Sequence, residues 1–125
     1  MSQESKALGR LRELCLSLPE TSEAGSWGHP NFRAGKRTFA AFEWIKGRPS
    51  IAIHLGAADA EAFLLQHEDA FETPYGRGKW VSVWADEELD WGYLQHVVER
   101  GYRTVALKRM ITALEEQGAR ANESA

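Results

Sequence analysis

Apolar residues recur along the opening stretch at helical spacing. Leu8, Leu11, Cys15 and Leu18 form a stripe that Leu14 widens, while Lys6, Arg10, Arg12 and Glu13 fall mostly elsewhere. That pattern predicts an amphipathic helix over residues 4–18, ended by Pro19. Residues 19–28 (PETSEAGSWG) carry no apolar period and read as a turn. Two short β candidates follow at 29–34 and 37–44, joined through Gly35 and Lys36 as a hairpin. Gly47 and Pro49 break the next segment, so Ile45 to Pro49 is a turn. Residues 50–55 then alternate cleanly. Ile51, Ile53 and Leu55 are expected inward, with Ser50, Ala52 and His54 outward.

The period changes after Gly56. Alanine, glutamate and leucine dominate a predicted helix from about Ala58 to His67, with Asp59 and Glu61 suited to its first turn. Residues 71–78 form a glycine- and cation-rich loop leading into a strand, Trp80 to Trp84. Alternation puts Trp80, Ser82 and Trp84 on one face of that strand and Lys79, Val81 and Val83 on the other. Two arrangements satisfy this. Either the indoles face the helices as core, the commoner place for large aromatics, or they share an aromatic and polar face with Ser50 and His54. Trp27, Trp44 and Trp91 are expected to pack around the rim. A further helix starts near Asp90 on Leu94, Val97 and Val98, and Gly101 is expected to break or bend it. The last helix covers about Tyr102 to Gln117, burying Val105, Leu107, Met110, Ile111 and Leu114. Residues 118–125 are a polar tail expected to fray.

These elements assemble as an α+β domain over residues 1–117: an antiparallel sheet of four or more strands backed by helices on one face. The chain has 125 residues, of which 43% are hydrophobic, enough for one domain with its own core. No apolar run approaches a membrane span and the N-terminus lacks a signal-peptide pattern, so a cytoplasmic protein without membrane contact is expected. Cys15 is the only cysteine, which excludes an intrachain disulfide and a multi-cysteine zinc site. It lies in the helical stripe with no flanking cation to activate it, and reads as a small core residue.

Chemistry is sparse. There is no nucleophile elbow, no paired-histidine helix motif and no cofactor fingerprint. His29, His54, His67 and His96 fall one per element. No catalytic residue, metal or cofactor is assigned. Gly76-Arg77-Gly78-Lys79 lacks the glycine spacing and following Ser/Thr of a phosphate-binding P-loop, and a strand rather than a helix follows it. Charge distribution is more informative. The net charge is -3, which argues against a generally basic nucleic-acid coat. Yet between Gly25 and Gly56 the cations Arg33, Lys36, Arg37, Lys46 and Arg48 meet only Glu43, whereas residues 57–75 carry five acids and no lysine or arginine. Loops at Lys36-Arg37, Lys46-Gly47-Arg48 and Arg77-Gly78-Lys79 would project like small wings beside a duplex, neutralising phosphates in a salt-dependent way.

Several segments together resemble the MmcQ/YjbR family of small bacterial proteins. They are Leu14 to Pro19 (LCLSLP), Trp27 to Arg33 (WGHPNFR), Gly35 to Ala40 (GKRTFA), Tyr75 to Val81 (YGRGKWV) and Gly101 to Val105 (GYRTV), in order along Leu11 to about Met110. Family members often have serine where this chain has Gly101, which removes a hydroxyl there. The resemblance implies a CyaY-like fold with a sheet backed by helices. Members are commonly described as candidate DNA-binding proteins with a double-wing arrangement and no established reaction. The expected function is therefore a non-enzymatic binding module for nucleic acid, weak and salt-dependent. Arg33, Lys36, Arg37, Arg77 and Lys79 would meet phosphates, while Trp80 stacks or buttresses the turn. The alternative is a small-molecule or protein-binding domain using a sheet-face pocket of His29, His54, Tyr75 and Trp80.

Overall fold

The computed structural model describes residues 3–26 and 29–124. In chain order the elements are α1 (Gln3–Leu16), β1 (Thr21–Ser26), β2 (His29–Ala34), β3 (Arg37–Ile45), β4 (Arg48–His54), α2 (Ala57–Gln66), β5 (Phe71–Glu72), β6 (Trp80–Trp84), α3 (Trp91–Val105) and α4 (Lys108–Ser124). The strands form one antiparallel sheet in the order β1-β2-β3-β4-β6-β5. The α+β class and the sheet backed by helices are as the sequence implied.

Two strands lie in segments read as loops. β1 occupies 21–26 and pairs with β2 from Thr21↔Ala34 to Ser26↔His29. As an edge strand of small and polar residues it has no apolar alternation to betray it. The two-residue β5 pairs with β6 at Phe71↔Ser82 and is too short to carry a period. Trp27 and Gly28, expected in a turn with the indole at the rim, lie outside the described residues.

The buried side of the sheet is built by register. Phe42 opposes Ile51, Ala40 opposes Ile53, and these face Val83 and Val81 across β4. A bulge between β2 and β3 adds Phe39 to the same side. Against this surface pack Ala7, Leu11 and Cys15 of α1, Ala60 and Phe63 of α2, Leu94, Val97, Val98 and Tyr102 of α3, and Met110 and Leu114 of α4. Burial pushes the Cys15 thiol well above the ordinary cysteine range, so it remains a protonated packing residue. Trp44 and Trp91 are partly buried at the margin of this core, the rim placement expected of them.

α3 does not break at Gly101. It runs unbroken to Val105, and the interruption comes at Ala106 and Leu107. A Cβ at Gly101 would lie 2.6 Å from Ile53 Cγ2 and 2.9 Å from the His54 carbonyl oxygen. The glycine therefore serves close helix–sheet approach rather than chain reversal. One residue on, Tyr102 is fully buried, its ring edge-on to Phe39 and its hydroxyl donating to the Pro19 carbonyl at 2.7 Å. That bond ties α3 to the end of α1. Leu107, expected to be buried, is 53% exposed because it sits in the break. α4 extends past the expected Gln117 to Ser124, and residues 115–121 are exposed throughout.

Candidate functional site

The two arrangements open to the indoles are separated by strand register. Trp80, Ser82 and Trp84 pair with His54, Ala52 and Ser50, on the face of β6 opposite Val81, which lies in the core. At the two ends of this row His54 still reaches α3 and Trp84 borders the space between α2 and α3. Yet that side is not bare. Ser50, Ala52 and Ser82 are fully buried, although Ser50 and Ala52 were expected to be outward. The β5–β6 connection folds back over Ser82, where Thr73 Oγ1 meets Ser82 Oγ at 2.6 Å, and Ser50 Oγ donates to the Glu43 carbonyl at 3.3 Å. Gly76 permits the close return, since a Cβ there would come within 2.8 Å of Trp80 Cβ. Tyr75 and Arg77, both non-glycine residues, hold left-handed φ values of 63° and 54° in the same turn.

Between this connection and β2 lies a cavity of about 400 Å³. Ala41 and Ala52, directly paired across β3 and β4, form its floor. Trp80, Pro74 and Tyr75 form one wall. His29, Asn31 and Arg33 form the other, three alternate residues of β2 and so on one face of it. Glu43 and Thr38 complete the polar lining. His29 Nδ1, Asn31 Oδ1 and Arg33 Nε are all buried without a hydrogen-bond partner among the described residues. Buried polar atoms are nearly always paired, so three such atoms on one row of residues lining one cavity mark a site that is polar by construction.

Of the pocket residues expected from sequence, His29, Tyr75 and Trp80 line this cavity; Tyr75 is fully exposed at the mouth. His54 does not line it. Its ring stands edge-on to Trp80 with centroids 5.4 Å apart, and its Nδ1 lies 2.7 Å from Thr104 Oγ1 on α3. Because the Thr104 hydroxyl donates to the Gly101 carbonyl at 2.6 Å, His54 Nδ1 is the donor of the pair. Partial burial lowers the His54 pKa, and the nearby charges of Lys79 and Arg37 lower it further.

That shared influence locates the cations. The β2–β3 turn and the start of β6 lie at the same end of the sheet, where Leu55 N–H donates to the Lys79 carbonyl at 2.9 Å. Two strand spacings separate Arg37 on β3 from Lys79, roughly 10 Å. Lys36, Arg37, Arg77 and Lys79 are all exposed there. Among the described residues none of the four is in a salt bridge, whereas Arg12, Arg48, Arg103 and Arg109 each hold a carboxylate. Arg33 differs from the sequence expectation: it belongs to the cavity wall rather than to the hairpin tip. The Lys46–Arg48 loop differs too. It lies at the far end of β3, and Arg48 is neutralised by two bonds to Asp86 (2.8 and 2.9 Å) while stacked 3.9 Å over the Trp84 ring.

Asn31 and Glu43 are cavity residues that sequence reasoning missed. The signal was there in His29-Pro30-Asn31-Phe32-Arg33, whose polar and apolar residues alternate with the strand period. A second cavity, about 450 Å³, lies between α2 and α3 and is lined by Glu68, Asp69, Glu87, Glu88 and Asp90. Its histidine is satisfied, His67 Nε2 lying 2.8 Å from the Tyr93 hydroxyl, and none of the unpartnered buried atoms belongs to it.

The family model for YjbR matches residues 16–104. The crystal structure of Deinococcus radiodurans protein DR2400, whose domain is described as DUF419, superposes with a TM-score of 0.69 over 86% of this chain and 87% of that one. Sequence identity is 18%, so the likeness concerns the fold alone. No curated protein matches the chain.

Proposed function

The chain belongs to the YjbR family, and from that premise we propose that it is a nucleic-acid-binding module whose phosphate contacts are Lys36, Arg37, Arg77 and Lys79. The observation that carries this reading is a cluster of cations. Lys36, Arg37, Arg77 and Lys79 are exposed on two loops at the same end of the sheet, and none of them is in a salt bridge among the described residues. Like charges gathered at one end are mutually unfavourable and are relieved by a polyanion. The overall charge of -3 gives no long-range attraction, so binding is local, weak and strongly salt-dependent.

The test is fluorescence anisotropy with labelled DNA at low and near-physiological salt. Four phosphate contacts give a slope of about -2.8 in log K against log salt for a single strand. The Lys36→Glu/Lys79→Glu variant should lose most of the affinity and at least half of that slope. Absence of binding at low salt, or unchanged binding by the variant, refutes the reading. A second reading, a small-molecule site in the cavity, is favoured by the three unpartnered atoms of His29, Asn31 and Arg33. A tryptophan fluorescence change with a metabolite but not with DNA would select it.

A further inference from the structure

We infer that the cavity receives one unpaired nucleobase of a bound strand, which makes the protein selective for single-stranded over duplex nucleic acid. The inference rests on the nucleic-acid reading above and assigns the cavity a part in it.

The lining narrows the class of ligand. Arg33 Nε–H is a buried donor without an acceptor, and Asn31, only 8% exposed, has a buried carbonyl oxygen without a donor. Glu43 adds a carboxylate to the same wall system. Sulfate offers acceptors only and would leave Asn31 Oδ1 unsatisfied; inorganic phosphate keeps an O–H donor near neutral pH, but like sulfate it meets Glu43 with like charge. A simple cation would meet Arg33. A hydrocarbon would satisfy none of these groups. A nitrogen heterocycle whose edge both donates and accepts satisfies Asn31, Glu43 and Arg33 together, and nucleobases have that edge.

The remaining lining agrees with a flat ring. Ala41 and Ala52 provide a floor without projecting side chains, and the half-buried Trp80 provides an aromatic wall. Two lining residues are chain neighbours of the cations. Lys79 immediately precedes Trp80, and Arg33 is the register partner of Thr38, next to Arg37. In this inference the sugar and phosphate of a seated base lie toward that cationic end. In a duplex the same base edge is already paired and turned inward, so entry requires opening the pair.

The test uses the full chain and three labelled probes, a mixed-sequence single strand, its duplex and the same strand with abasic residues, together with competition of the single strand by a nucleoside monophosphate or by inorganic phosphate. Asn31→Leu is the key variant because it removes the unpartnered carbonyl without altering charge. We expect the single strand to bind at least tenfold more tightly than the duplex or the abasic strand. We expect Asn31→Leu to reduce single-strand affinity to the abasic level, with abasic binding and its salt slope unchanged. At matched ionic strength the monophosphate should displace the strand and inorganic phosphate should not. Equal affinity for all probes, indifference to Asn31→Leu, or equal competition by inorganic phosphate would each overturn the inference while leaving the cationic contacts standing. Binding of none of the probes at low salt would instead remove the nucleic-acid reading itself.

Discussion

Gly101→Ala is the sharpest test of how the sheet is held against α3. The new Cβ would arrive 2.6 Å from Ile53 Cγ2 and 2.9 Å from the His54 carbonyl oxygen. Ile53 is 2% exposed, and its strand is hydrogen-bonded to β3 on one side and β6 on the other. Neither obstacle can withdraw without disturbing the middle of the sheet. Overpacking of this kind costs about 1–3 kcal/mol, and the rigid surroundings argue for the upper end. Against it stands the gain of about 1 kcal/mol for alanine over glycine inside a helix. We expect a net loss of about 2 kcal/mol, or a fall in Tm of about 5–10 °C for a domain of this size. Gly9 is the matched control. It lies within α1, and a Cβ added there would meet nothing within 4 Å, so Gly9→Ala should stabilise by up to about 1 kcal/mol. Urea unfolding followed by tryptophan fluorescence reads both variants. Combining Gly101→Ala with Ile53→Ala, which deletes the obstructing methyl, should give a coupling energy of at least about 1 kcal/mol. If Gly101→Ala matches or exceeds the parent in stability, close approach is not what the glycine provides.

The site and the core give further expected outcomes. Asn31→Leu should raise the urea midpoint, by about 1 kcal/mol in stability, because an unpartnered buried carbonyl is replaced by an apolar group; a loss of stability would show that Asn31 is satisfied in solution. His54 has a folded-state pKa below its unfolded value, so its contribution is fully present above the unfolded pKa of about 6.5 and is lost as pH falls through the folded value. His54→Gln should flatten the pH dependence of the urea midpoint between about pH 7 and 5, and an unchanged slope would refute the assignment. In the Lys79→Glu variant the His54 pKa, read by NMR titration, should rise, since one of the cations that lowers it has been reversed. Cys15 should resist a water-soluble thiol reagent at about pH 8 in the native protein and react at once in denaturant; rapid native reaction would contradict its burial.

The elements with strong periodicity were legible in the sequence. Ile51 and Ile53, the hairpin at Gly35-Lys36, the α1 stripe and the apolar sides of the later helices all follow from alternation at two residues or recurrence near 3.6. So were the exposed cations Lys36, Arg37, Arg77 and Lys79, because turns seldom bury lysine and arginine. β1 and β5 were not legible, since edge strands that bury little need no apolar period. Gly101 misled for a related reason: in isolation glycine weakens a helix, and only the neighbouring strand reveals a contact that excludes any larger residue.

Residue order thus determined which stretches are helix or strand and which strand residues share a face, because backbone period is a local property. It did not determine what lies over each face. Register between β4 and β6 put Trp80 and Trp84 on the face opposite Val81, and the return of the β5–β6 connection then closed a cavity over Ala41 and Ala52. His29, Asn31 and Arg33 line that cavity, each with a buried polar atom that has no hydrogen-bond partner among the described residues. Burial and hydrogen-bond satisfaction depend on groups distant in sequence, so the cavity and its unmet polar atoms belong to the tertiary structure alone.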